Sequence, residues 1–542
     1  MGSQTMMRIG RRQFLMGAAS LAVLSCTPGA TAPGSTASPG ASPKRGGILR
    51  LRAISDPVSL DLYNVRGSSA IIYVGAILNN LITENPYKPG EIIPELAEKW
   101  DISADGTVVT FAIRQGVLWH DGKPFTSADA VYNLNRAWKP PTPDISTNFN
   151  VLRNVAAIDA PDAKTLKVTL KQASASFIPA VAQPTMGMYP SHIPDMKTWS
   201  DNPIGTGPFV WKSYVRGQSV EYARNEKYWK PGLPYLDGIS QTFVADNAAA
   251  YGALKLGQVD VSSPMDTTAL APHLSNIAQD IPGIANFAGT GARFDLYLNN
   301  RGPLADKRVR QAIHLGFDRK AFIDVGYSAG GGTYPVASLY PTDRGGLWGL
   351  PQSELSQMPG FREDKTQDLA QAKQLLKDAG VPAKQKLTYL VSSFQKDSAP
   401  AAADLLNKIG FDTQIVIVDG AAATDRARGG DYDINSGQFP GYYDDPASNL
   451  TSLVASDGAA NFAKWNVPAI DQLLKQQDAE LDPVKRKDLL RQLQMRIIDE
   501  AYLITLFWTR NQMAWQSWVK NQPHWTTTLG PQWRFEQTWL DK

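Results

Sequence analysis

The chain has 542 residues, 43% of them hydrophobic and 19% charged, with a formal net charge of +3. Single hydrophobic cores stop growing at roughly 250–300 residues, so at least two large lobes are expected. Three basic residues, Arg8, Arg11 and Arg12, precede the single cysteine, Cys26, and no acidic residue does, so the remainder balances at 51 basic and 51 acidic residues. Near-neutrality argues against nucleic acid as a partner, because phosphate binding relies on a concentrated Lys/Arg excess. One cysteine excludes an intrachain disulfide and a cysteine-rich metal site.

Arg11-Arg12-Gln13-Phe14-Leu15-Met16 is a twin-arginine pattern, followed by a short apolar run from Gly17 to Leu24. The run is about half the length of a membrane-spanning helix. A basic start, a short apolar core and small residues before a cut site read as a signal peptide over residues 1–25. The arginine pair points to the export route that carries folded proteins. Val23-Leu24-Ser25-Cys26 resembles the bacterial lipobox, whose cysteine is acylated and becomes the mature N-terminus; an incidental cysteine is the alternative. Residues 26–45, mostly Thr, Pro, Gly, Ala and Ser, read as a flexible tether. The expected location is extracytoplasmic, lipid-anchored at the membrane or periplasmic. No later stretch reaches 18 uncharged apolar residues, so no membrane-spanning helix is expected in the body.

In chain order, alternation predicts a strand at Ile48–Ala53, and helical spacing predicts a helix from Ile71 to Leu81. Asp105-Gly106 is a turn between strands Lys99–Ile102 and Val108–Ile113. Thr126-Ser127-Ala128-Asp129 starts a helix that runs to Trp138, before Pro140-Pro141. Val155 to Leu170 holds an alternating strand pair. Gly205-Thr206-Gly207 lies in a loop without the strand-then-helix context of a phosphate cradle. Val210-Trp211 and Ser219–Tyr222 read as strands around Arg216-Gly217. Ala249 to Leu256 is helical up to Gly257, followed by a short strand at Val259–Val261. A strand is expected at Asp295–Asn299, with helices at Asp306–Leu315 and Arg319–Val325. Helix Asp368–Asp378, strand Leu387–Val391, helix Ala399–Lys408 and strand Thr413–Val418 alternate, which implies an α/β lobe. Two charged amphipathic helices between Ala469 and Glu500 break near Asp482-Pro483, and a strand follows at Ile504–Phe507.

Four stretches carry a resemblance. They are Ile93–Trp100 with Asp105-Gly106-Thr107; Arg114–Tyr132, containing Trp119-His120-Asp121-Gly122-Lys123-Pro124-Phe125-Thr126; Gly205–Phe209 continuing to Arg224–Trp229; and Asn299, Pro303, Leu304, Asp306, Arg308–Arg310 and Asp318-Arg319. On these the chain resembles the family 5 extracellular solute-binding proteins, the peptide- and nickel-binding partners of ABC importers, through nearly the whole mature chain. The resemblance implies an α/β, periplasmic-binding-protein type II-like fold of two hinged lobes. Lobe I would be residues 46–78, 206–298 and 509–542, with an inserted β-rich subdomain at 79–205. Lobe II would be 299–508, with Asp295–Asn299 and Ile504–Trp508 as the crossover strands. It further implies a monomer that hands a small organic solute to ABC transporter permease subunits, with no cofactor and no catalysis.

The same resemblance directs attention to Gln438-Phe439-Pro440-Gly441-Tyr442-Tyr443-Asp444-Asp445-Pro446. In peptide-binding relatives the matching loop holds an aspartate that pairs with the peptide ammonium. Aligned on Asp445-Pro446, that position is Tyr442, whose phenol is neutral at pH 7 and cannot neutralise an ammonium. Asp444 is the substitute if the loop shifts; turn capping before the proline is the other reading. Phe439, Tyr442, Tyr443 and Trp508 are candidate cleft aromatics, against the alternative of core packing. Tyr63 and Asn64 belong to the early loop that faces the cleft in relatives. A peptide or peptide-like ligand is expected, with an oligosaccharide or an opine-like conjugate as the alternative. His120-Asp121 has no nucleophile motif beside it and reads as a structural turn. The five histidines show no metal-type spacing, so nickel or haem binding is the lesser reading. No nucleophile elbow, paired-carboxylate or zinc motif supports a secreted hydrolase.

Overall fold

The computed structural model describes residues 42–63, 70–88, 90–140, 152–263, 267–327, 333–334, 339–340, 348–440, 445–446, 450–523 and 533–542. The signal-peptide reading, the tether up to residue 41, Cys26, Asn64, Tyr442, Tyr443 and Asp444 fall outside them.

The strands in chain order are β1 (Ile48–Ala53), β2 (Ile82–Glu84), β3 (Ile92–Pro94), β4 (Ala97–Ile102), β5 (Val108–Ile113), β6 (Val155–Asp162), β7 (Thr165–Leu170), β8 (Phe209–Val215), β9 (Ser219–Arg224), β10 (Gly238–Phe243), β11 (Ala285–Leu298), β12 (Thr333–Tyr334), β13 (Gln385–Ser392), β14 (Phe411–Val418), β15 (Ile434–Pro440) and β16 (Leu503–Trp515). Two four-stranded sheets, β1-β10-β9-β8 and β4-β5-β7-β6, build the first lobe. They share one core, in which Leu49, Phe111, Trp119, Trp199 and Phe209 are buried. The second lobe is a six-stranded sheet ordered β12-β16-β11-β15-β13-β14. β13 pairs in parallel with both β14 and β15, while β11 runs antiparallel to β15 and β16.

Local signals were decisive where they were strong. The Asp105-Gly106 turn joins β4 to β5, with Gly106 at φ +69°. The helix Ser127–Trp138 begins where Asp129 reaches back to accept from the Thr126 amide at 2.9 Å. The helix expected from Ile71 to Leu81 ends at Val74. Beyond it, Asn79 donates to Glu95 (2.6 Å) and Asn80 donates to the Gln183 carbonyl (2.7 Å), so apolar Ile77, Leu78 and Leu81 enter the core from an irregular chain. Gly205-Thr206-Gly207 serves the same junction. A Cβ on Gly205 would lie 1.8 Å from the Ile77 carbonyl oxygen, and Gly207 N donates to that oxygen at 2.9 Å. His120 braces the loop from the other side. Its Nδ1 accepts from Gly205 N (3.2 Å), leaving Nε2 to donate to Gly207 O (3.1 Å). Burial lowers its pKa to about 4, so it acts as a neutral structural side chain. The strand expected at Val259–Val261 reduces to single bridges from Val261 to Leu51 and Trp515.

The crossover strands are much longer than the expected Asp295–Asn299 and Ile504–Trp508. β11 and β16 stay paired from Ala285↔Trp515 to Tyr297↔Leu503. Met513 and Trp515 sit in the first core with Ala285 and Phe287 against it, whereas Phe294, Leu296, Leu298, Ile504, Leu506 and Phe507 sit in the second. The register breaks twice in between, at Thr290/Arg293 and Phe294/Asp295. A Cβ on Gly291 would lie 2.2 Å from Thr509 Oγ1, so only glycine fits that passage.

On the sheet face opposite Phe294 and Leu296 lies a buried charge cluster. Arg293 and Asp295 are both fully buried. Arg293 Nε donates to both Asp295 oxygens at 2.8 Å, and Asp295 also accepts from Tyr297 OH (2.8 Å) and Thr505 Oγ1 (2.8 Å). Burial opposes the Arg293 charge, but the adjacent carboxylate outweighs it and raises the guanidinium pKa. Removing one partner of such a pair leaves an uncompensated buried charge, so Asp295→Asn should cost about 3–5 kcal/mol of stability in urea unfolding. An unchanged unfolding midpoint would contradict this role.

Candidate functional site

The lobes meet where residues 174–176 of the first touch the helices of the second. The residues before helix Phe177–Ala182 carry the contact. Ser174 Oγ donates to Asp478 Oδ1 (3.1 Å) and Oδ2 (3.0 Å), Ser176 N donates to Oδ1 (3.2 Å), and Ala175 N donates to the Asp478 carbonyl (2.6 Å). Asp478 is on helix Pro468–Ala479, and Arg486 is on helix Pro483–Glu500. Arg486 reaches the same segment, donating to Ser176 Oγ at 3.0 Å.

Arg486 also fixes the ligand-loop region identified in the sequence. It donates to Asp445 through two nitrogens, at 2.7 and 3.0 Å, and to Gln477 Oε1. Asp445 is 5% exposed, so this is a buried bidentate pair, the stronger arrangement for a guanidinium and a carboxylate. Nearby charge keeps Arg486 protonated despite burial. Both flanks of residues 441–444 are therefore anchored: Asp445 by Arg486, and Pro440 by pairing with Ala292. Beside this anchor is a cavity of about 520 Å³ between the lobes. Trp100, Ile178 and Gln183 contribute to it from one side, and Trp348, Asp445 and Arg486 from the other.

The remaining expected site residues are dispersed. Phe439 occupies β15, where its backbone pairs with Arg293. Trp508 lies on β16 between Arg293 and Tyr334, 4% exposed, with the Arg293 guanidinium 5.8 Å from its ring. Tyr63 is 5% exposed, its ring 5.8 Å from Tyr189 and 5.0 Å from the Arg136 guanidinium, and its hydroxyl donates to the Gly187 carbonyl. Ser174, Ser176, Asp478 and Arg486 were not singled out from sequence. Serines before a helix and charges on an amphipathic helix look like ordinary caps and solvated faces until the fold opposes them.

Two α/β lobes spanned by a pair of long strands, with a cavity at their junction, define a periplasmic-binding-protein type II-like fold. Residues 91–461 match the family model for bacterial extracellular solute-binding proteins, family 5, and the chain belongs to that family. It is 29% identical over 462 residues to di/tripeptide-binding protein 1 of Pseudomonas aeruginosa (strain UCBPP-PA14), covering 79% of this chain and 82% of the relative. It is 27% identical to heme-binding protein A of Haemophilus influenzae, covering 81% of this chain and 82% of the relative. Among solved structures, the binding protein AgaA of A. tumefaciens R10 in complex with agropinic acid superposes with a TM-score of 0.75 at 27% identity, covering 92% of this chain and 99% of the other.

The lobe contact carries a group whose protonation is linked to it. Burial raises the Asp478 pKa above the ordinary carboxylate value, assisted by the neighbouring Asp445 charge and opposed by the Ser176 and Ser174 hydrogen bonds and by Arg486. The contacting state therefore holds the Asp478 proton more tightly than a separated state would. Contact is favoured as pH falls below the raised value, and this preference is absent once pH exceeds it. Lowering pH from neutrality toward the carboxylate range should shrink the radius of gyration of ligand-free protein in X-ray scattering, and Asp478→Asn should flatten the response. An equal response in both proteins would refute the assignment.

Proposed function

We propose that this protein is the extracytoplasmic substrate-binding component of an ABC importer and that it encloses a peptide or peptide-like solute between its lobes, releasing it chemically unchanged. The observation that carries this reading is the interlobe cavity of about 520 Å³ beside the doubly anchored 441–444 loop. A pocket of this size between lobes suits a ligand of a few residues, and closure about β11 and β16 follows the hinge mode of two-lobed binders. In this reading lobe I comprises 46–78, 206–298 and 509–542 with 79–205 inserted, and lobe II comprises 299–508. Tyr442, Tyr443 and Asp444 adjoin the ligand in this reading, with Asn64 on the facing side, whereas Phe439, Trp508 and Tyr63 are not among the described residues that line the cavity. Cys26 is the acylated anchor that keeps the protein beside the permease subunits, and Cys26→Ser should release it from washed membranes into the soluble fraction; retention of that variant would overturn the anchor.

The di/tripeptide-binding relative supports a peptide ligand. The agropinic acid complex of AgaA favours an opine-like conjugate as the second reading. Thermal-shift measurements separate the two, since a ligand that binds only the native state raises stability by mass action. Di- and tripeptides should raise the melting temperature more than agropinic acid does; the reverse order would select the opine reading. With a phenol at position 442, free and N-acetylated dipeptides should bind within about tenfold of each other, because no carboxylate there rewards the ammonium. Tyr442→Asp should shift preference toward the free amine. A strong preference of the unsubstituted protein for free amines would contradict this role of Tyr442.

A further inference from the structure

Lobe II holds a second cavity, of about 300 Å³, whose lining residues all fall between Tyr297 and Leu503. Among the described residues it shares no lining side chain with the interlobe cavity, so the two are separate.

Its position follows from topology. β13 is followed by helix Ala399–Ile409 and then β14 on one side, whereas β14 returns through helix Gly420–Arg428 to β15 on the other side of β13. The first helix packs on the face of Leu387, Tyr389 and Val391, and the second, through Ala427, on the face of Leu390. β13 is thus the switch point of the parallel strands, where a crevice opens outside their carboxyl ends. Parallel pairing between β13 and β15 stops at Leu390↔Asn435, although the strands continue to Ser392 and Pro440. The helix turns Gly420, Ala423, Thr424 and Ala427 toward the opening, and these small side chains leave it unfilled.

Three amides border this space. Gln395 is 6% exposed; its Oε1 accepts from Ser436 Oγ at 2.9 Å, and its Nε2 has no hydrogen-bond partner. Asn435 and Gln438 are half-buried and also line it, with side chains that carry no hydrogen bond. Ser392 and Thr424 add hydroxyls, while Leu453 and Phe462 supply apolar wall. Among the described lining residues there is no Asp, Glu, Lys, Arg or His.

We propose that this cavity is a binding site for a neutral, hydroxyl-rich small molecule of monosaccharide size. Amides and hydroxyls both donate and accept, which matches sugar hydroxyls that do the same. A charged ligand would enter without a counter-ion and lose its hydration. Gln395 is held by the Ser436 hydroxyl at its Oε1, which leaves its Nε2 at the cavity wall to donate to a ligand acceptor.

The test is calorimetric titration of the full chain with D-glucose, D-galactose and D-mannose, against D-glucuronate and D-glucosamine as charged controls. At least one neutral sugar should bind saturably, and its charged counterpart should bind at least about tenfold more weakly. Gln395→Leu and, independently, Asn435→Ala should each weaken sugar binding by about tenfold or more with an unchanged melting temperature. Dipeptide binding should be unaffected in both variants, which keeps this site distinguishable from the interlobe reading. Absence of saturable binding by any neutral sugar, equal binding of charged sugars, full affinity in both variants, or competition between sugar and dipeptide would each overturn the proposal.

Discussion

The pairing of β11 with β16 is the constraint on which the rest of the structure depends. One end of this ribbon is built into the first core through Met513 and Trp515, and the other into the second through Phe294, Leu296 and Phe507. A ribbon with both ends buried in different cores can redirect its lobes only where pairing is interrupted. The interruptions lie between Thr290 and Asp295, beside Gly291. Bulges in such places bend a strand and raise its local twist. The fully buried Arg293–Asp295 pair sits at the edge of this interruption, on its lobe II side.

That arrangement gives meaning to the outer contact. Asp478 holds Ser174 and Ser176 of the opposite lobe, and Arg486 links Ser176 to Asp445 beside the ligand segment. Loop anchor and lobe contact thus share one guanidinium.

Much of the fold was legible from sequence where a local signal agreed with the final packing. The Asp105-Gly106 turn, the Thr126/Asp129 capping box and the break at Asp482-Pro483 each form as read, with Asp482 accepting from Val484 N and Lys485 N. The helix expected over Ile71–Leu81 failed because Asn79 and Asn80 have tertiary partners in Glu95 and Gln183 that no local pattern announces. The N-terminal half of β11 was missed because Gly289 and Gly291 lower strand propensity, and only β16, more than 200 residues later, supplies the pairing. For the site, the Gln438–Pro446 segment stood out through its aromatic and acidic residues. Its anchor Arg486 did not, because a single arginine on a charged helix becomes distinctive only when the fold buries it.

The central claim is that two lobes move about the β11/β16 ribbon and close over a solute. It is tested most directly by spin-label distances between Asn154 and Lys475, which line one cavity at the lobe junction, after each is replaced by cysteine and Cys26 by serine. The account predicts a broad distribution reaching long distances in the free protein, narrowing to a single short distance when a di- and tripeptide mixture is added. One narrow distribution, identical with and without peptides and unmoved by Asp478→Ala, would contradict it.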